Sequence, residues 1–315
     1  MMTTLLVATT GGHLVELFEL AQRLPELPGK RMWVTFDTPQ SRSLLKDEAH
    51  VVTIPEISER DVLGVVRGFV THARRIFREE RIGTVISTGS AIALSFLPYA
   101  ALRGVDTHYI ESATRFDAPS LTGRLLEKIP RIKLYHQYPH LRRGRWHYSG
   151  SVFDRFEVRE TSSKPVKRAV VTVGSVRQSF HRLFKHVAAL MPPDVEVLWQ
   201  TGHTPVDDLP IKAEPYVESA VLDQAIRDAD VVIAHGGCGS ALGALNAGKF
   251  PILMPRDPNL GELVDGHQPA LTRWLHEKGL ALERSPESLS LDDLKTVATR
   301  QIARLAAPPP FPLVA

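Results

Sequence analysis

Residues 231–257 read VVIAHGGCGSALGALNAGKFPILMPRD. A short β-branched run, Val231–Ala234, enters a turn with three glycines in four positions, His235-Gly236-Gly237-Cys238-Gly239-Ser240. A helical pattern over about 239–247 follows, then a second apolar run, Phe250–Met254. Strand, glycine turn, helix and strand in that order predict a parallel sheet covered by helices. Glycines at a helix start let a ligand approach the backbone, where free N–H groups and the helix dipole favour phosphate. Residues 235–240 are therefore a candidate cradle for a phosphate or diphosphate. The stretch also contains G-x-x-x-x-G-K at Gly243–Lys249. Phe250 replaces the Ser or Thr that a P-loop requires, and helix precedes strand, the reverse of P-loop order.

The same alternation runs through the rest of the chain. In the first half strands are predicted at Leu5–Thr9, Met32–Phe36, Val51–Ile54, Thr84–Ser87, Thr107–Glu111 and Ile132–His136, with helices at about 13–24, 60–80, 90–103 and 120–128. In the second half strands are predicted at Ala169–Val173 and Val195–Gln200 besides the two above. Helices fall at about 176–191, 219–228 and 262–278 as well as 239–247. The 315 residues suit two α/β domains, each with its own core. The expected division is 1–156, a polar linker at 157–166, 167–305, and a proline-rich tail at 306–315. Ligands bind such sheets at the carboxyl ends of the strands.

Composition narrows the class. A hydrophobic fraction of 43% and a charged fraction of 23% are those of a globular protein. A single cysteine makes no internal disulfide, which fits a reducing compartment. The N-terminus lacks a basic n-region, and Ala91–Leu102 is too short to cross a bilayer. A cytoplasmic, at most membrane-peripheral protein is expected. Residues 1–150 carry 20 Lys/Arg against 15 Asp/Glu, so the net charge of +3 hides a basic first half. No basic run interleaves with aromatics, which argues against nucleic acid. Val62–Arg81 combines apolar residues with Arg67, Arg74, Arg75 and Arg78, a pattern that suits either an anionic lipid surface or packing on its own sheet.

Two further loops follow predicted strands. Thr9-Thr10-Gly11-Gly12-His13 lacks the spacing and third glycine of a dinucleotide fingerprint, so it reads as a phosphate loop or a tight turn capped by His13. Gly174-Ser175-Val176-Arg177-Gln178 offers Gly174, Ser175 and Arg177 to phosphate, or Ser175 as a helix cap. Asp228-Ala229-Asp230 reads as a helix–strand junction. No His, Cys or carboxylate spacing suggests a metal site, and no G-x-S-x-G elbow is present.

Seven motifs in order resemble the inverting glycosyltransferases of the MurG type, with the two-domain GT-B fold. They are TTGGHL (9–14), STGS (87–90), YIESATRFDAPSLTGRLL (109–126), VTVGS (171–175), EPYV (214–217), HGGCGSALGALNAGKFPILMPRD (235–257) and GELVDGHQ (261–268). The chain is also similar to a fusion of the two subunits of the N-acetylglucosaminyltransferase that extends lipid-linked oligosaccharides, and to exopolysaccharide glycosyltransferases. The resemblance implies two Rossmann-like domains facing a cleft. It also implies transfer of a sugar from UDP-GlcNAc, UDP-glucuronate or UDP-glucose, with inversion and no metal, to a polyprenyl-diphosphate-linked or other lipid-linked saccharide.

Carried onto this chain, Gly236, Gly237, Gly239 and Ser240 would meet the diphosphate and Gly174 and Ser175 would close over it. Tyr216 and Val217 would lie along the uracil. Gln268, with His267 and Asp265, would face the donor sugar or its phosphate, and His13 and Glu111 would meet the acceptor. The chain departs from the pattern at Gly243, where related proteins often place a ribose-binding acid, and at Gly266, where an asparagine is usual. Transfer needs a base for the acceptor hydroxyl and a positive environment for departing UDP. His13 suits the base by its ordinary pKa, or it binds the diphosphate without taking a proton. Glu111 could serve instead, could orient His13, or could pair with Arg115 or cap the next turn. The competing classes are a UDP-sugar epimerase or hydrolase and a non-catalytic sugar-nucleotide-binding partner of another transferase.

Overall fold

Strand β1 (Thr3–Ala8, TTLLVA) is buried at every position, as a central strand covered on both faces must be. It belongs to the first of two units in the computed structural model, which describes residues 2–25, 29–58, 61–141, 144–162, 164–174, 177–263 and 267–314, with His267 described by its backbone alone. The first unit is the chain up to Asp154 plus the segment from Pro309; the second is Arg155–Pro308.

In the first unit the elements after β1 are α1 (Gly12–Ala21), β2 (Lys30–Phe36), α2 (Pro39–Leu44), β3 (Val51–Ile54), α3 (Val62–Gly68) and α4 (Arg74–Glu79). Then come β4 (Ile82–Gly89), α5 (Ala91–Leu102), β5 (Asp106–Ile110), α6 (Leu121–Leu126), β6 (Ile132–His136) and β7 (Trp146–Tyr148). The strands form one parallel sheet in the order β3-β2-β1-β4-β5-β6-β7. The chain builds outward from β1 in one direction and then resumes beside it at β4. The loops leaving β1 and β4 therefore diverge and open a crevice at the carboxyl edge of the sheet. The nearly all-apolar α5 packs on the sheet with Val7, Val34, Val85 and Tyr109 in one core.

The second unit repeats the plan. It contains β8 (Phe156–Glu160), β9 (Arg168–Thr172), α7 (His181–Leu190), β10 (Glu196–Gln200), β11 (Ala213–Glu214), α8 (Ser219–Asp228) and β12 (Val231–His235). It continues through α9 (Cys238–Asn246), β13 (Ile252–Met254), α10 (His267–Glu277), β14 (Leu282–Glu283), α11 (Leu291–Ala298) and β15 (Arg300–Arg304). The parallel sheet runs β11-β10-β9-β12-β13-β14, so its crevice lies between β9 and β12. Both units are thus Rossmann-like, as the α/β alternation predicts.

Several local readings differ. The helix expected over 60–80 is α3 and α4 joined by a π turn, Phe69–Ala73. Ser95 Oγ donates to the Val65 carbonyl (2.9 Å), engaging the helix ladder where it widens. The helix expected from 176 begins at His181, because Phe180 is fully buried and its N–H donates to Thr204 Oγ1 (2.9 Å). The helix expected from 262 begins at His267. Residues 157–160, the polar start of the expected linker, belong with Phe156 to β8, which pairs antiparallel with β15. The tail packs on the first unit: Phe311 is fully buried, its N–H donates to the Arg23 carbonyl (2.7 Å), and Arg23 Nε donates to the Pro309 carbonyl (2.8 Å). Among the described residues no helix is long and apolar enough to cross a membrane.

Candidate active site

In the second unit the candidate residues gather where β9, β10, β12 and β13 end. His235, the last residue of β12, is buried, and its ring Nδ1 lies 3.2 Å from Ser240 Oγ. Burial, then the nearby Arg256 charge, holds its pKa at about 3 against an ordinary 6.5, so the ring is neutral. Glycines surround this ring for steric reasons. A Cβ at Gly174 would stand 2.7 Å from His235 Cε1, and one at Gly237 would collide with Nε2. Gly174 also takes φ +67°, a left-handed backbone open to glycine. Gly236 is closed in by Thr272, Gln268 and Pro255.

Beyond this turn α9 starts at Cys238 with no side-chain cap. The first N–H groups of a helix have no acceptor within it, so this uncapped end is a set of donors carrying the positive end of the dipole. Gly239 is exposed with open space around it, whereas the Cys238 side chain is buried. Gly248 ends α9 at φ +77°. Gly248 N–H donates to the Leu245 carbonyl (3.0 Å) and Lys249 N–H to that of Ala244 (2.9 Å), a Schellman motif. That is the structural use of the glycine–lysine pair that imitates a P-loop.

The neighbouring loops are tied to the same edge. Val217 N–H donates to Gln200 Oε1 (3.1 Å), and Gln200 Nε2 donates to Thr172 Oγ1 (3.0 Å). Tyr216 is half-exposed, with the His203 ring edge-on at 5.7 Å. Arg177 is exposed. Gln268 is buried, and its Oε1 accepts from the Arg256 N–H (3.1 Å). The structure thus brings Gly174, Val217, His235, Gly236, Gly237, Ser240 and Gln268 into one connected edge. Ser175, Asp265 and the His267 side chain lie outside the described residues.

In the first unit, the loop after β1 carries Gly11 at φ +90° with its N–H donating to Gln40 Oε1 (2.6 Å). Gly11 and Gly12 are exposed, with open space where a side chain would be. His13 spans the crevice to β4. Its Nδ1 donates to the Thr88 carbonyl (2.9 Å), and Thr88 Oγ1 donates to the His13 carbonyl (2.7 Å). A carbonyl only accepts, so the proton of the neutral ring sits on Nδ1 and Nε2 carries the lone pair. Beside it Ser90 takes φ 64°, ψ −170°, a conformation almost confined to glycine.

Glu111 is buried rather than presented. Its carboxylate accepts from Ser120 N–H (2.9 Å), Ser120 Oγ (3.0 Å) and Tyr109 OH (3.0 Å). Burial raises its pKa. It fastens the start of α6, whose cap is Ser120. A second buried acid, Glu16, accepts from Ser112 Oγ (2.8 Å), Ala113 N–H (2.9 Å) and Gln137 Nε2 (3.0 Å). Sequence reasoning did not single out Glu16, Ser90, Gln200 or Arg256. The one signal for Arg256 was an arginine closing the apolar run ILMP. Among the described residues no group of three or more His, Cys, Asp or Glu is arranged to hold a metal ion.

Residues 168–304 match the glycosyltransferase family 28 C-terminal domain. Over 126 residues, 36% of this chain, the sequence is 29% identical to the mouse (Mus musculus) UDP-N-acetylglucosamine transferase subunit ALG13, of whose length the match covers 10%. Among solved structures, MurG of Acinetobacter baumannii superposes with a TM-score of 0.55 at 18% identity, over 94% of this chain and 89% of that one. A UDP-N-acetylglucosamine 2-epimerase superposes with a TM-score of 0.57 at 15% identity, over 95% and 90%. These structures share the fold: paired Rossmann-like units of the GT-B kind.

Proposed function

We propose, from the premise that residues 168–304 match the family 28 glycosyltransferase C-terminal domain, that the protein moves a hexose from a UDP-sugar to a hydroxyl of a lipid-linked saccharide. The observation that carries this reading is the uncapped start of α9 behind the Gly236–Gly237 turn. Its N–H groups suit a diphosphate both as ligand and as leaving group. In this reading Gly236, Gly237, Gly239 and Ser240 hold the diphosphate and Gly174 closes over it. Tyr216 and Val217 meet the uracil, and Gln268 meets the sugar. The donor is UDP-GlcNAc, UDP-glucuronate or UDP-glucose.

His13 is assigned the base. The acceptor hydroxyl gives its proton to Nε2, and its oxygen bonds to the anomeric carbon opposite UDP. The bond to the UDP oxygen breaks, and the configuration inverts. Thr88 supports this role by holding the tautomer that leaves Nε2 basic. Glu111, with its carboxylate occupied by donors, is assigned the shaping of the loop before α6. Neither role requires a metal.

The test is a transfer assay in EDTA with the three UDP-sugars and a polyprenyl-diphosphate-linked acceptor, run beside thermal shifts with UDP, GDP, ADP, dTDP and NAD. The expected result is stabilisation by UDP alone, transfer in EDTA, and kcat lowered by about 100-fold or more in His13→Ala. Glu111→Gln should lose stability more than rate. Full rates in both variants would overturn the assignment. Sugar released or epimerised without acceptor would favour the epimerase or hydrolase class, whereas UDP binding without turnover would favour the non-catalytic one.

We also propose that the first unit sits against the inner face of a membrane. Val65, Phe69, Ala73, Ile76 and Phe77 pack inward, yet Val62, Leu63, Val66, Val70 and Leu102 are exposed. An apolar furrow of about 270 Å³ between α3 and α5 adjoins a cavity of about 610 Å³ lined by Arg74, Arg75, Arg78 and Arg103. Apolar residues beside arginines suit anionic lipid. Reversing the charge at Arg74, Arg75 and Arg78 should abolish sedimentation with anionic liposomes; undiminished sedimentation would sink this face as the contact.

A further inference from the structure

Arg256 is fully buried, among the largest side chains with no exposure at all. Its Nη1 donates to the carbonyls of Gln178 (2.6 Å) and Glu262 (3.2 Å), and its Nη2 reaches that of Val173 (3.4 Å). Phe180 lies under the guanidinium at 4.9 Å, and among the described residues Nε has no partner. Among the described residues no carboxylate pairs with it. Glu262, whose charge acts favourably on the guanidinium, turns its oxygens to Arg182 (2.7 and 3.0 Å) and to Asp257 N–H (2.8 Å). A buried cation whose acidic neighbour is shared with a second arginine is only partly compensated, which favours an anion nearby.

The surroundings indicate which anion. Val173, one of the three carbonyls, precedes Gly174, which covers the His235 ring. Pro255, the residue before Arg256, abuts Gly236. The guanidinium is therefore bracketed by the two glycine turns of the donor edge, and its charge is felt at His235. The guanidinium is enclosed by Phe180 and the three carbonyls, so it acts through the loops that it holds.

We infer that Arg256 is a positioning residue for the donor diphosphate: it braces the loops after β9 and β13 and sets a fixed positive charge behind the His235–Ser240 turn. This rests on the donor site proposed above. A brace alone would need only hydrogen bonds. A brace that also supplies charge favours the diphosphate over the nucleoside, and it favours the diphosphate more as charge grows on departing UDP.

The test is calorimetry of UDP and of uridine on the full chain, the wild type beside Arg256→Gln and Arg256→Lys. Arg256→Gln should weaken UDP by about tenfold or more, the size of one lost charge-assisted interaction, and leave uridine unchanged. Arg256→Lys should restore most of the UDP affinity. Equal losses for UDP and uridine, no loss for UDP, or no rescue by lysine would overturn the inference while leaving the transferase reading intact. A wild type that binds neither ligand would overturn both. Should Arg256→Gln fail to fold, the Arg Nε–H resonance absent from Arg256→Lys decides. In the wild type it should shift with UDP and not with uridine; a resonance that ignores UDP overturns the inference.

Discussion

At the scale of single residues, burial separates groups that look alike in sequence. Glu16 lies in GHLVELFELA, where the spacing suggests the polar face of α1. The loop at 112–113 and Gln137 cover that face, so the carboxyl is 1% exposed, and burial lifts its pKa from 4.5 to about 7. The folded state then holds a proton that the unfolded chain releases. This contribution is complete below pH about 4.5 and is lost as pH rises through about 7, a change of roughly 3 kcal/mol. Glu16→Gln should flatten the dependence of unfolding free energy on pH in that window. An unchanged slope in denaturant titrations at pH 5 and 7.5 would refute the assignment. His13 was legible as a candidate because it follows a strand and two glycines. Its tautomer was not legible, since that depends on Thr88, 75 residues away.

At the scale of elements, α9 shows how a helix end is built to suit the ligand proposed for it. Glycines before it keep the His235 ring and the backbone close, and Gly248 closes it cleanly behind. Gly239 lies in its first turn, exposed and uncrowded. An aspartate there should suit the dipole, leaving the thermal midpoint unchanged or higher by the equivalent of about 0.5 kcal/mol. It would also put a negative charge where the diphosphate is proposed to bind. Gly239→Asp should therefore fold normally and lose UDP binding in calorimetry, and retained binding would move the diphosphate elsewhere. The strands β1 to β6, β9, β10, β12 and β13 were readable from apolar runs bounded by polar turns. The two-residue β11 and β14 were not, because a strand that short has no periodicity and exists only through its neighbour's hydrogen bonds.

At the scale of the whole molecule, the chain builds two Rossmann-like units and then returns to the first. The return is anchored by Phe311, fully buried between a ring contact to Tyr135 (5.7 Å) and the Arg23 backbone. Phe311→Ala should destabilise the first unit by about 3 kcal/mol, seen as a lower midpoint of its unfolding. An unchanged midpoint would mean that the tail contributes little. The α/β class, the repeated plan and the glycine loops were determined by the sequence itself. Each rests on patterns within about ten residues, where apolar period and glycine placement act directly on the backbone. Only the tertiary structure decided that Glu111 and Glu16 are enclosed, that Arg256 faces carbonyls rather than a carboxylate, and that residues 309–314 pack on the first unit. The Glu16, Arg256 and tail outcomes depend on partners brought together across dozens to hundreds of residues, and that of Glu111 on how residues 109–120 fold back on one another. Burial sets both the charge a group can carry and the partners it must find.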